Sequence, residues 1–481
     1  MLDFCGAEKE IMPPDNLVSV INELNNRAEY QSALDKVLPI LNETMPDYAL
    51  WIGAGNAYYG LKRFNEAEQA YLKAASLNAA DAVSLANLAG VYFETAQYEK
   101  GLDVCDQALI RQPDYLNVLI HRGNMLSSLN RYDEAVKTYQ KALKLAPDDL
   151  LTAFNLAYAL TMTEQLDAAE EIYLRLLEAV PEDQEYLFAY ASFLEKKEAF
   201  DQAAEVYLRL LKIKEEPTIH ITLSGCLYNL QLQGKNDQVL NLTDKWLSFF
   251  PDNPAALHML ETLKNSKEVK RASAEYVQEL FDAFADSFDS VLEGLNYQAP
   301  SLVASAVQEL SFAFPPVMLD LGCGTGLCAA AMTKKGISFS EIIGVDLSEK
   351  MLKKAEQRHI YTTLVQEDIL SFLPSNKDRF DLVVSADVLT YLGDLSQVFS
   401  GLSAAVKTGG KIVFTVSENT QNEADYALEP SGRFMHSREY ILNELNENGF
   451  KAEKILSVEL RQELGQSVLG LLFVGKRDIK A

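Results

Sequence analysis

Small and apolar residues return every 34 positions through the first half of the chain. Segments beginning at Tyr48, Ala82, Leu116, Leu150 and Gln184 align in phase. Their eighth place holds Gly55, Ala89, Gly123, Ala157 and Ala191, and their twentieth holds Ala67, Gly101, Ala135, Ala169 and Ala203. The twenty-fourth gives Tyr71, Cys105, Tyr139, Tyr173 and Tyr207, and Pro113, Pro147 and Pro181 close three of the units. Stretches such as RFNEAEQAYLKAASL and RYDEAVKTYQKALKLAP carry apolar residues three and four apart with charges opposite, which predicts amphipathic helices. Two antiparallel helices per unit need small residues where they cross and a large ring to fill the next gap. Proline cannot continue a helix and marks the turn into the next unit.

This pattern closely resembles tetratricopeptide repeats over about residues 48–215, with weaker flanking units at 15–46 and 218–253 and a two-residue slip near Glu215 to Pro217. The expected first domain is an all-α superhelix over 1–260, about six to seven helix pairs. The resemblance implies a concave groove that binds a protein or peptide partner. Inward-facing positions include Asn56, Tyr59, Phe93, Asn117, Asn124, Phe154 and Tyr158. A ninth-place asparagine can hydrogen-bond a peptide backbone, or simply pad the groove.

Around MLETLKNSKEVKRAS the 34-residue beat stops and charge rises, which predicts a helical linker over 261–275. Beyond it, PPVMLDL, IIGVDL, TTLVQ, FDLVVSA and KIVFTVS are short Val/Ile/Leu-rich segments separated by helical patterns such as SEKMLKKAEQR. That alternation predicts an α/β Rossmann-like domain over 276–481 with a mainly parallel sheet. KILSVEL and LLFVGK lie close together and predict an antiparallel edge hairpin, for seven strands in all.

The first of these segments ends in Asp320-Leu-Gly-Cys-Gly-Thr-Gly326 and opens a helix. Glycines at such a turn let backbone approach a ligand closely. Position 327 is leucine, so the spacing is GxGxG and the fingerprint of a pyrophosphate binder is incomplete. Asp346 ends the second segment, where a carboxylate can accept ribose hydroxyls, and Asp368 with Ile369 ends the third. In this order the motifs resemble class I S-adenosylmethionine-dependent methyltransferases over roughly 276–481. A finer likeness, in residues 275–300 and 431–450, is to bacterial methyltransferases that carry tetratricopeptide repeats.

The resemblance implies S-adenosylmethionine as co-substrate, with no metal. Gly322, Cys323, Gly324 and Gly326 would form the turn beneath its methionine part, and Asp320 would meet its ammonium, often through water. Asp346 and Leu347 would hold the ribose, Met351 would pack near the adenine, and Asp368 and Ile369 would contact its amine and ring. Thr408 stands where the family usually has proline, at a turn remote from the methyl group. An NAD-dependent dehydrogenase is the structural rival.

Methyl transfer from a sulfonium is an in-line displacement, so alignment is the main task. A general base is needed only if the acceptor carries a proton of high pKa. Candidates are Asp387, Tyr391, Glu418 and His436, with Arg433 in a segment that folds over the acceptor. Asp387 and Glu418 can equally cap helices, and HSREY reads as a helix start capped by Ser437. Tyr276, Phe284 and Phe288 belong to a helix that caps the cofactor in this family, or to core. Cys323 and Cys328 read as small packing residues.

Composition narrows the partners. The net charge of −26 repels phosphate backbones, which argues against a nucleic-acid partner. No apolar run reaches the roughly 20 residues that span a bilayer, and the start MLDFCGAEKEIMPP lacks a secretory pattern. Five scattered cysteines fit a reducing cytoplasm rather than disulfides or zinc. The oligomeric state is not legible. Two functions follow: methylation of a protein or peptide captured by the repeats, which the fusion favours, or methylation of a small molecule with the repeats docking a partner or making an oligomer. Removing residues 1–265 is expected to abolish only the first.

Overall fold

The structure, a computed structural model, describes residues 14–43, 47–264, 269–420, 424–463 and 466–478. The chain divides into two compact units, residues 1–193 and 194–481.

The first unit is a run of paired helices, among them Tyr48–Gly60 with Phe64–Leu77 and Leu116–Ser128 with Tyr132–Leu145. The small residue of the eighth place has a direct steric cause. A Cβ on Gly55 would stand 2.5 Å from the Tyr71 ring, and Gly123 faces Tyr139 in the same way. Within each unit the helices are joined by a left-handed residue that carries a side chain: Lys62, Ala96, Asn130 and Glu164, each 34 after the last. Two backbone bonds close the turn each time, as Lys62 N–H to Tyr59 O and Arg63 N–H to Tyr58 O.

Asn56 and Asn124 hold the repeats to one another. The Asn56 Oδ1 accepts from Tyr71 Oη–H at 2.7 Å and from Asn87 Nδ2–H at 3.0 Å. Asn124 does the same with Tyr139 at 2.8 Å and Asn155 at 3.1 Å. Their amide oxygens are thus spent between units rather than offered to a peptide.

In the second unit the helix pairs continue through Pro217–Leu232, Asn236–Phe249 and Pro254–Lys264. The two-residue slip is visible as backbone. Glu198 has the left-handed turn in its expected place, and the next such residue, Gly234, comes 36 later. Of the stretch read as a helical linker, the helix Pro254–Lys264 covers the start, residues 265–268 lie outside the described residues, and residues 269–273 run without helix before Ala274–Phe284 begins. Arg271 forms a single antiparallel bridge to Leu392.

The sheet comprises β1 (Val317–Leu321), β2 (Glu341–Asp346), β3 (Thr363–Gln366), β4 (Phe380–Ser385), β5 (Val406–Glu418), β6 (Tyr426–Leu428), β7 (Phe434–His436), β8 (Phe450–Glu463) and β9 (Gln466–Arg477). β3, β2, β1, β4 and β5 are parallel neighbours in that order, and β9 then pairs antiparallel with β5 and with β8. The ribbon β6–β7 sits at the end of β5 and was not expected from the pattern, since both strands are three residues long.

Alternation separates two cores. Leu319, Ile343, Val383 and Ile412 pack on one face, and Met318, Ile342, Leu382 and Val413 on the other. Both faces are therefore covered, as a parallel sheet requires. Chain order reverses between β1 and β4, which opens a crevice at the carboxyl ends of those strands.

Candidate active site

That crevice is a cavity with about 1020 Å³ of empty space, counting its mouth. Gly322, Gly324, Asp346, Leu347, Asp368 and Ile369 line its floor, and Asp387 and Tyr391 stand at its other end. With Phe288 and Arg433, which also line it, ten residues singled out in the sequence converge on one space.

The glycine turn is held from below. Gly322 and Cys323 donate their N–H groups to Val345 O, and Gly324 N–H donates to Asp346 Oδ2 at 2.8 Å. Gly322 and Gly324 both have positive φ, of 69° and 54°, but for different ends. A Cβ on Gly322 would lie 2.4 Å from the Val388 side chain, so this residue lets β4's loop pack on the turn. At Gly324 the nearest atom is a Phe288 ring carbon at 3.9 Å, and the bare backbone faces the cavity. That cradle, which a Cβ would begin to fill, suits close approach of a ligand.

Asp346 uses its other oxygen to accept Ser348 N–H at 2.9 Å, and burial pushes its carboxyl above the ordinary range. Asp368 caps the helix Ile369–Ser375 through Leu370 N–H at 2.8 Å. Its second oxygen pairs with Arg271 at 3.0 Å. Arg271 lines the cavity, so the segment read as a linker is part of the site.

Asp320, Cys323, Gly326 and Met351 are not among the residues lining the cavity. Asp320 is buried and accepts a 2.6 Å bond from Tyr361 Oη–H; burial raises its carboxyl to about 6, against the Tyr361 bond and with help from the Asp346 charge. Cys323 lies against Gly344, and burial drives its thiol well above its usual value, as it does for Cys328. Both are packing residues. Met351 is fully buried and serves the core.

His436 is corrected by the structure. It is fully buried in β7, does not line the cavity, and its Nε2 lies 2.8 Å from Leu392 O and 3.2 Å from Gly393 O. The two carbonyls accept from a protonated Nε2, and Nδ1 is buried with no partner among the described residues, so a charged ring would leave a buried N–H unmet and His436 is a neutral, structural ring. Burial lowers its pKa to about 4, against those two bonds. Glu418 pairs with Arg438 at 3.6 Å and lies outside the cavity lining. Phe288 lines the cavity, whereas Tyr276 and Phe284 face a second one.

The inner end carries a constellation that the sequence did not announce. Arg461, 3% exposed, donates to Asp387 Oδ2 at 2.7 Å and to Glu463 Oε1 at 2.7 Å. Arg433 reaches the same Glu463 oxygen at 2.6 Å. Burial works against the ionised Glu463, and the two guanidiniums outweigh it and hold its carboxyl below the usual value. Burial likewise opposes the charge of Arg433, which Tyr391, Asp387 and Glu463 restore and raise. Asp387 sits at φ 59°, held by its N–H to Thr415 Oγ1 at 2.9 Å, and its Oδ1 is buried without a partner. A buried carboxylate oxygen with no partner among the described residues is an uncommon cost, and functional sites are where such costs gather. Arg461 was missed because the register of β8 shifts between Glu459 and Arg461, so two consecutive residues turn inward.

Comparison with known proteins bears on the same residues. The Methyltransferase domain family matches residues 319–414. Tetratricopeptide repeat families match 48–81, 117–149 and 154–216. The ubiquinone biosynthesis O-methyltransferase of Serratia proteamaculans (strain 568) is 28% identical over 138 residues, which are 26% of this chain and 56% of the relative. That of Coxiella burnetii (strain RSA 493 / Nine Mile phase I) is 32% identical over 107 residues, 21% of this chain and 44% of the relative. The chain spans about half the length of these curated relatives. Among solved structures, MamA 41-end from Desulfovibrio magneticus RS-1 covers 36% of this chain and 97% of its own at 19% identity and a TM-score of 0.34. The S-adenosylmethionine-dependent methyltransferase from Mesorhizobium loti covers 36% and 96% at 22% identity and a TM-score of 0.29. By the family matches, residues 319–414 form a methyltransferase-family domain, and tetratricopeptide repeats lie before it within 48–216.

Proposed function

We propose that this chain, with its methyltransferase-family domain behind a repeat array, moves a methyl group from S-adenosylmethionine to a small-molecule acceptor. The repeats then dock a partner protein. The carrying observation is the convergence of Gly324, Asp346, Asp368 and Asp387, from the ends of four adjacent parallel strands, on one cavity. Bound S-adenosylmethionine supplies an electrophilic methyl on a sulfonium. The Asp346 carboxylate accepts the ribose hydroxyls, and bare backbone at Gly324 admits the methionine part. Asp387 Oδ1 accepts the proton that leaves the acceptor, while Arg461 holds the carboxylate in place. Phe281, Phe288 and Tyr391 wall the space with apolar surface and keep water from the sulfonium.

The in-phase repeats favour a second reading, in which a captured protein or peptide is methylated. Burial of the acceptor-facing pair favours the small molecule: the Asp387 side chain is 12% exposed and Arg461 3%. The four described cysteines are free and buried, which supports a reducing, cytoplasmic setting. Among the described residues no helix is long and apolar enough to cross a membrane.

Truncation at residue 265 does not separate the two readings, because the helices Pro217–Leu232 and Pro254–Lys264 belong to the same unit as the sheet. The separating experiment incubates the full chain with methyl-labelled S-adenosylmethionine and cell extract, then divides protein from small-molecule counts. Counts in the small-molecule fraction are expected; counts confined to protein overturn the small acceptor, and no calorimetric binding of S-adenosylmethionine overturns both readings.

A pH dependence follows from Asp320. Its carboxyl is raised to about 6, so it is ionised at neutral pH and gains a proton as pH falls through that value. A cationic ligand in the adjoining cavity, reached through water because Asp320 does not line it, favours the ionised form. Affinity for S-adenosylmethionine is therefore expected to be level above pH 7 and to fall roughly tenfold by pH 5. In Asp320→Asn, calorimetry should find weaker binding with that slope gone.

A further inference from the structure

A second cavity, with about 660 Å³ of empty space, lies in the same compact unit. Its walls are the helices Pro217–Leu232 and Pro254–Lys264, the helix Ala274–Phe284 and the turn 430–433. Tyr391 and Arg433 line both this cavity and the first, so those two side chains stand between the two spaces. The turn is fixed where it matters. His258 Nε2–H donates to Gly432 O at 2.9 Å, and the Tyr276 ring stacks on His258 at 4.3 Å between centroids. The residue after Gly432 is Arg433, which this clamp holds at the junction.

We infer that this second cavity is the outer part of the acceptor site and that it takes an uncharged, mainly apolar extension of the acceptor, aliphatic or aromatic, whose nucleophilic end passes Tyr391 and Arg433 to reach Asp387. The inference rests on the methyl-transfer reading above and adds the substrate class. Its chemistry is set by the lining. Ile221, Met259, Leu280 and Phe284 supply apolar surface, and uncharged polar groups lie among them, including the hydroxyls of Ser224, Tyr228, Thr262 and Ser431. Arg433 is the one Lys, Arg, Asp or Glu among the described residues that line it, and it stands at the inner end. Such a surface desolvates a hydrocarbon body at a gain and an ammonium group at a loss. The guanidinium at the junction is already paired with Glu463, so it offers a cation on its way inward no counter-charge. Terminal repeat helices thereby wall an acceptor site, a reason for them to share a unit with the sheet.

The test uses Gly225, which lines this cavity from the middle of the helix Pro217–Leu232 and has no atom within 4 Å of the place its Cβ would take. Gly225→Phe fills space without crowding the fold, and it removes a poor helix former from a helix interior. The probe is 4-hexylphenol, titrated calorimetrically into the full chain with S-adenosylhomocysteine present to occupy the first cavity. One equivalent is expected to bind, Gly225→Phe and Ser224→Phe should each weaken it at least tenfold, and hexylammonium should bind the wild type at least tenfold more weakly. Affinity of both variants for S-adenosylmethionine should stay within twofold. Absence of 4-hexylphenol binding, or binding untouched by both variants, overturns the site. Equal binding of hexylammonium overturns the assigned class. Failure of S-adenosylmethionine to bind the wild type instead removes the methyl-transfer reading, a result separable from the phenol titration.

Discussion

Replacing Asp387 with asparagine is expected to slow methyl transfer by about two to four orders of magnitude, the range that positioned proton acceptors contribute, with S-adenosylmethionine affinity changed by less than about threefold. Asparagine is the informative choice for two reasons. Residue 387 has φ 59°, and asparagine tolerates that conformation better than most residues. Its amide oxygen can also still accept from Arg461, which holds Asp387 Oδ2 at 2.7 Å. What disappears is the second carboxylate oxygen, buried and without a partner among the described residues. An amide nitrogen there donates rather than accepts and cannot take a proton. The measurement is single-turnover transfer with labelled co-substrate alongside calorimetric binding. A rate within fivefold of wild type would show that Asp387 is only a structural partner of Arg461. Arg461→Lys provides the companion case. A lysine cannot span Asp387 and Glu463 with a rigid fork, so transfer should slow while binding of S-adenosylmethionine again holds.

Asp346→Asn is expected to weaken S-adenosylmethionine binding about 100-fold or more. Hydrogen bonds to a charged acceptor are worth about 1.5–3 kcal/mol each. Two ribose hydroxyls at the lower figure give about 3 kcal/mol, or somewhat more than 100-fold. The same carboxylate accepts Gly324 N–H and Ser348 N–H, so the change also loosens the glycine turn from below. An amide can satisfy one of those donors and leaves the other facing an NH₂ group. A modest fall in melting temperature should accompany the lost affinity. Binding within threefold of wild type, measured by calorimetry on the folded variant, would remove Asp346 from the cofactor site.

Much of the architecture is legible in the chain because it is periodic or local. The 34-residue beat records a steric fit between a small residue and a ring, Gly55 with Tyr71 and Gly123 with Tyr139, that repeats in each unit where it occurs. Even the two-residue slip appears as a displaced turn at Gly234. The glycine turn and the acids at 346 and 368 are legible for a related reason. Each stands at the end of its own apolar segment, and the ends of adjacent parallel strands meet in space.

The acceptor side has no such periodicity. Arg461 reads as a surface charge in an alternating strand, and only the register shift in β8 turns it inward toward Asp387. Arg271 belongs to a stretch whose charge suggests a solvated linker, yet its bridge to Leu392 places it over Asp368. His436 shows the opposite error: a histidine rare in composition and well placed in sequence is spent on two backbone carbonyls. Sequence by itself determined the two folds and which strand-end residues meet on the cavity floor, because helix and strand periods and strand-end motifs are short-range properties. Only tertiary structure decided which charges meet at Asp387 and that the last repeat helices wall a second cavity. Those arrangements join residues as far apart as 258 and 432, whose contact depends on how distant segments pack.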